Sequence, residues 1–171
     1  MRNLFYLLTF SALVASFCAC NSSKTDEQWR DANISAYDAI TKNPNYKQIP
    51  TPAGGPAGVY YKMLQSGVGA EYPLQTSSVK VLYKGTFYDG SVFDNGSSLN
   101  GIPVEFSVAS TVRGFSFALQ NMVVGDHWEI WVPYYLGYGS VGQYDSYGQQ
   151  LIKGYTTLVF DVELVSITRY P

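Results

Sequence analysis

The tightest constraint on this chain is an alternation near its C-terminal end. Leu158, Phe160, Val162 and Leu164 are apolar, and Asp161 and Glu163 stand between them. A period of two sends successive side chains to opposite faces of a strand, so Thr157 to Ile167 is read as a strand with one dry and one wet face. One-sided strands of this kind belong to antiparallel sheets. Four more segments read as strands: Val59 to Leu64, Val79 to Phe87 stopped by the Asp89-Gly90 turn, Val104 to Val108, and Trp128 to Val132 ended by Pro133. Ser91 to Asp94 follows the Asp89-Gly90 turn. One segment among them has helical spacing, about Gly114 to Met122, with Phe115, Ala118, Leu119 and Met122 on one face and Gly125 as its stop. This order predicts an α+β fold: an antiparallel β-sheet wrapped around one short α-helix.

The first residues do not belong to that body. Arg2 gives a positive start, Leu4 to Phe17 is a short apolar run, and Cys18-Ala19-Cys20 leads into polar Asn21-Ser22-Ser23-Lys24. The run is too short for a membrane span and ends in a cleavage-like motif. It is similar to a bacterial lipoprotein signal. Residues 1–19 are then the signal peptide and Cys20 is the acylated residue, with Cys18 as the other candidate and an ordinary signal with an incidental cysteine as the alternative. Such a chain is exported and lipid-anchored to a bacterial membrane, on the periplasmic or outer-membrane side. Both cysteines lie here, so the rest of the chain offers no disulfide framework and no cysteine-based metal site. Residues 20–57 read as a tether, a helix from about Glu27 to Ile40 capped by Thr25 or Asp26, and a linker dense in Pro and Gly. Residues 58–171 form the globular domain.

Composition narrows the chemistry. A net charge of −2 with scattered Lys80, Lys84, Arg113 and Lys153 provides no phosphate-binding stripe, which excludes nucleic acid as a partner. His127 is the one histidine, and a Ser-His-Asp hydrolase would have to use it. It stands beside Asp126 at a strand start with no Gly-x-Ser-x-Gly near a helix, so it is read as a turn or surface residue, and no metal site is expected. Gly137-Tyr138-Gly139-Ser140-Val141-Gly142 fits the dinucleotide fingerprint, but Gly- and Tyr-rich chain follows instead of a helix. Among the carboxylates, Asp161 and Glu163 mark a solvated strand face and Asp89 a turn. Asp94, after Val92-Phe93, is the one in an apolar setting.

The blocks in order carry a more specific resemblance. Val81-Leu82-Tyr83-Lys84-Gly85 followed by Asp89-Gly90-Ser91-Val92-Phe93-Asp94 resembles the FKBP signature of V-x-Y-x-G and D-G-x-x-F-D. Pro103 to Val108 is similar to the family's next strand. Val112-Arg113-Gly114-Phe115, then Ala118-Leu119-Gln120-Asn121-Met122 and Gly125, resembles its helix. Ile130 to Pro133 with Leu136-Gly137-Tyr138-Gly139, and Leu158 to Leu164, resemble the last two blocks. The match runs from about residue 58 to residue 167. It implies a peptidyl-prolyl cis-trans isomerase that needs no cofactor, takes proline-containing polypeptides and assists the folding of exported proteins. Carried over by position, Tyr83, Phe93, Asp94 and Tyr138 are the catalytic residues. Phe106, Val112, Phe115, Ile152 and Phe160 are the substrate-binding residues. The resemblance also implies a contact between Asp94 and the Tyr83 hydroxyl.

The chain departs from the family where the floor tryptophan is replaced by Phe115, at the rim Leu151-Ile152-Lys153-Gly154, and in the Gln/Tyr-rich stretch Ser140 to Gln150. Two other readings remain open on the same fold: a non-catalytic, chaperone-like or surface binding module, and carbohydrate binding by the Tyr/Trp surface. The segment before the domain is also a candidate dimerisation helix, and the oligomeric state stays open.

Overall fold

The computed structural model describes residues 25–51, 55, 57–96 and 101–168. The signal segment and Cys20 lie outside the described residues. In chain order the elements are α1 (Asp26–Thr41), β1 (Lys47–Gln48), β2 (Tyr60–Gln65), β3 (Ser78–Phe87), β4 (Val92–Asp94), β5 (Val104–Ser107), α2 (Arg113–Leu119), β6 (His127–Val132), β7 (Gly142–Tyr144), β8 (Gln150–Lys153) and β9 (Leu158–Thr168). Single 3-10 turns cover Val108–Ser110 and Tyr134–Leu136.

The main sheet runs β1-β2-β6-β9-β3-β4, with β5 also on β3. Every pairing in it is antiparallel. The alternating segment is β9, and it lies between β3 and β6, hydrogen-bonded on both edges. Its Leu158, Phe160, Val162 and Leu164 are buried while Asp161 is exposed. Val79 and Val81 from β3 and Trp128, Ile130 and Val132 from β6 join them under α2, which contributes Phe115, Ala118 and Leu119; Met122 follows just beyond the helix. Full burial of one such side chain contributes about 1.5–3 kcal/mol.

Helix α2 has seven residues, too few to persist alone, since isolated helices below about 12–15 residues are marginal in water. Packing holds it instead. Gly114 permits the close approach, because a Cβ there would collide with the Val132 side chain.

Three segments differ from the linker, loop and tether read in the sequence. Lys47 and Gln48 pair with Tyr61 and Tyr60, and the Ile49 amide donates to the Val59 carbonyl at 2.9 Å. Ile49 is 1% exposed, so part of the Pro-rich stretch is an edge strand packed into the core; prolines flanking it are tolerated because an edge needs no second ladder. The stretch from Ser140 to Gln150 contains strand β7, which forms a two-stranded sheet with β8. Its turn is closed by Asp145, whose Oδ1 accepts from the amides of Tyr147 and Gln149 at 2.9 and 2.8 Å.

The third difference concerns α1. It starts with a capping box between Thr25 and Gln28, but it does not hang free. Asn33 is fully buried, and its Oδ1 accepts from the Thr157 amide at 2.8 Å. The Trp29 Nε1–H donates to Thr156 Oγ1 at 3.1 Å, and the Tyr37 hydroxyl donates to the Gly58 carbonyl. The helix is therefore bolted to the chain just before β9. Asn33→Ala leaves the buried Thr157 amide without an acceptor, a loss of about 1–3 kcal/mol that urea unfolding of the full chain measures. An unchanged midpoint would show that the Asn33–Thr157 bond contributes nothing to the fold.

Candidate functional site

The sheet and α2 do not close completely against each other. A cleft of about 470 Å³ remains, and aromatic rings make most of its wall. Tyr83 reaches it from β3, Phe93 and Asp94 from β4, and Phe106 from β5. Val112 and Phe115 come from the start of α2, Tyr138 from just after the 3-10 turn that follows β6, and Phe160 from β9. These strands are distant in sequence, and their pairing with β3 and β9 brings the side chains together.

The rings lock one another. Phe115 stacks on Phe160 with centroids 4.3 Å apart and planes at 26°. Phe93 meets Phe160 edge-on at 5.9 Å and 84°. Tyr83 stands nearly perpendicular to Phe106 at 6.0 Å, and Phe106 lies 6.1 Å from Phe115. Such pairs contribute about 0.5–1.5 kcal/mol each beyond their buried area. Gly85 explains how Phe93 fits: a Cβ on Gly85 would sit 2.5 Å from the Phe93 Cζ. The missing side chain on β3 is the space that the Phe93 ring fills.

The polar groups nearest the rings are paired with direction. The Tyr83 hydroxyl donates to Asp94 Oδ2 at 2.7 Å, the contact expected from the resemblance. The other carboxylate oxygen, Oδ1, accepts from the Gly96 amide at 2.9 Å. Burial raises the Tyr83 hydroxyl above its ordinary value of 10.0, and the hydrogen bond and charge of Asp94 raise it further. Burial also raises Tyr138, with the Asp94 charge adding to the effect. Both phenols therefore keep their protons at neutral pH and are donors. The site holds O–H donors and an apolar box, and among the described residues that line it no nucleophile is paired with a base.

Ser110, Thr111 and Gln143 also line the cleft. Sequence reading missed them. Thr111 directly precedes Val112 of the helix block, and that adjacency was the available signal; Gln143 sits in the unforeseen hairpin. Ile152 differs from its expected place. It is 4% exposed on β8, opposite Gln143 and packed into the core, and it is not a wall of the cleft. Its cross-strand partner Gln143 is the hairpin residue that reaches the cleft. His127 opens β6, and its Nε2 lies 2.7 Å from Asp161 Oδ1 on the wet face of the sheet. The glycine-rich fingerprint leads into β7, with no helix to carry a pyrophosphate.

The raised Tyr83 value has a sign. A group whose folded value exceeds its unfolded value stabilises the fold in full below the unfolded value, and that stabilisation disappears as pH rises through the folded one. Unfolding free energy should therefore fall above about pH 10, and Tyr83→Phe should show a shallower alkaline fall. Identical alkaline slopes for wild type and variant would contradict the assignment.

Comparison with known proteins agrees with this geometry. A profile of the family described as FKBP-type peptidyl-prolyl cis-trans isomerase matches residues 69–165. The chain is 40% identical over 111 residues to the FKBP-type 22 kDa peptidyl-prolyl cis-trans isomerase of Escherichia coli strain K12, covering 65% of this chain and 50% of that protein. It is 38% identical over 116 residues to the Outer membrane protein MIP of Legionella longbeachae, covering 67% and 46%. The crystal structure of a peptidyl-prolyl cis-trans isomerase from Pseudomonas syringae pv. tomato superposes with a TM-score of 0.69 at 28% identity, over 86% of this chain and 99% of that one. The chain spans about half the length of the curated relatives it matches. Every wall residue of the cleft lies inside the matched segment, and the chain belongs to the FKBP-type peptidyl-prolyl cis-trans isomerase family.

Proposed function

We propose that this protein is a peptidyl-prolyl cis-trans isomerase that assists the folding of exported proteins. The observation that carries the reading is the cleft itself: an aromatic box with protonated phenol donors and one carboxylate held by Tyr83 and Gly96. That is what amide rotation asks for. The planar peptide bond is held by resonance, and its barrier is about 18–20 kcal/mol. The twisted amide has less charge separation than the planar one, so walls of Phe93, Phe106, Val112, Phe115 and Phe160 favour the twisted form over the planar form. No bond breaks and no proton leaves. The Tyr138 hydroxyl donates to a substrate carbonyl and fixes the chain on one side of the rotating bond. Tyr83 and Asp94 hold each other, which keeps the polar rim of the pocket in one orientation. Lowering the barrier by about 4 kcal/mol gives roughly a thousandfold acceleration. Phe115 supplies a flat apolar floor without an N–H.

The protein is delivered, in this reading, by the signal at residues 1–19 and held at a bacterial membrane by acyl chains on Cys20. The name of the Legionella longbeachae relative supports an envelope location. No helix among the described residues is long and apolar enough to cross a membrane. One acyl chain binds only marginally, each buried CH₂ adding about 0.8 kcal/mol, whereas several chains anchor stably. In this reading the chain from Cys20 to α1 is the tether and docked helix, and β1 joins residues 58–171 in the isomerase domain.

A protease-coupled assay on Xaa-Pro peptides tests the activity. Tyr138→Phe removes one donor and should lower kcat/KM about tenfold with the circular dichroism spectrum unchanged. Asp94→Ala should lower it at least as much. Variants as active as wild type would remove these residues from the mechanism. Cys20→Ser should move the protein from the detergent phase to the aqueous phase on phase separation; retention in detergent would exclude Cys20 as the anchor.

A further inference from the structure

Helix α1 reaches the pocket indirectly. The Trp29 ring meets Phe87 edge-on at 5.5 Å and Tyr88 at 5.7 Å. Phe87 in turn lies 5.2 Å from Phe93, which is a pocket wall. Trp29 also donates through Nε1 to Thr156, two residues before β9 and four before Phe160. The Lys153 ammonium stands 5.9 Å over the indole and 3.5 Å from Asp26, closing the far side. One side chain thus touches the turn that leads into β4 and the segment that leads into β9.

This matters because β4 is weakly held. It has three residues on a sheet edge, and its pairing with β3 is irregular between Gly85 and Thr86. Ring contacts therefore carry much of the placement of Phe93, and Asp94 follows it directly. We propose that Trp29 is a positioning residue for the proline pocket. Acting through Phe87, it sets the Phe93 ring, so that α1 belongs to the isomerase unit and is more than a tether. The proposal rests on the isomerase reading for its kinetic consequence, and on geometry alone for its structural one.

The test uses the full chain and two readouts. Aromatic ¹³C NMR of the Phe93 ring reports its placement without any activity. Peptide isomerisation reports the consequence. Trp29→Ala should shift the Phe93 resonances and lower kcat/KM about fivefold, the scale of one lost aromatic pair. Trp29→Phe keeps a ring against Phe87 and loses the bond to Thr156; it should restore both readouts to within about twofold. Phe87→Leu keeps α1 docked through Asn33 and should reproduce the Trp29→Ala shift, which keeps the idea testable if Trp29→Ala does not fold. Unshifted Phe93 resonances in Trp29→Ala and Phe87→Leu overturn the proposal. So does a Trp29→Ala rate equal to that of an active wild type. A wild type with no isomerase activity but a shifted Phe93 ring overturns the functional reading and leaves the positioning role standing.

Discussion

Strand β9 is hydrogen-bonded along both of its edges, from Leu158 to Thr168 against β3 and from Leu158 to Glu163 against β6. A strand held on both sides cannot slip by one residue without turning its entire apolar face to water. That fixes Phe160, Val162 and Leu164 against α2, and Phe160 then stacks with Phe115 to make the floor of the cleft. The short α2 depends on the same floor, and Gly114 lets it come close enough to reach it. The cleft lies between α2 and a sheet whose central strand is paired on both sides and whose path ends in β4.

The rim of the cleft comes from shorter elements. Phe93 and Asp94 lie on the three-residue β4, Gln143 lies on the β7–β8 hairpin, and Tyr138 follows a 3-10 turn. Short ladders hold β4 against β3 and β7 against β8, ring contacts and side-chain hydrogen bonds add to them, and the Tyr83–Asp94 bond is the most direct of the side-chain bonds. For the proposed rotation, in which no covalent bond changes, this division suits the task. The floor must be dry and fixed, while the rim must admit an extended chain and release it after a rotation.

Much of this was legible from residue patterns. The period of two in β9 and the four-residue spacing of Phe115 and Leu119 follow from geometry any strand or helix imposes, and they led to the right sheet and helix. Pocket residues such as Tyr83, Phe93 and Tyr138 were legible only through the resemblance to the FKBP blocks, which places them by position, and each lines the cleft. What escaped was decided by contacts between distant segments. Nothing near Lys47 and Gln48 signals a strand; β2 supplies their partner. Asn33 looks like a solvent-facing residue in a weakly patterned helix, yet it is the buried bolt of α1 because the Thr157 amide needs an acceptor. Ile152 was assigned to the pocket by position, while it packs in the core cluster and its cross-strand partner Gln143 lines the cleft. The hairpin was hidden by its Gly, Gln and Tyr content, which gives no alternation to read.

The central claim is that the ring-walled cleft lowers the barrier to rotation about Xaa-Pro bonds. Two-dimensional exchange NMR on a proline-containing peptide measures that rotation directly, with the protein present in catalytic amount. Uncatalysed exchange takes tens to hundreds of seconds at 25 °C. The account predicts cis and trans resonances joined by exchange within about a second, with their equilibrium ratio unchanged. Exchange no faster than in the peptide alone, on several peptides and with the protein folded, would contradict it.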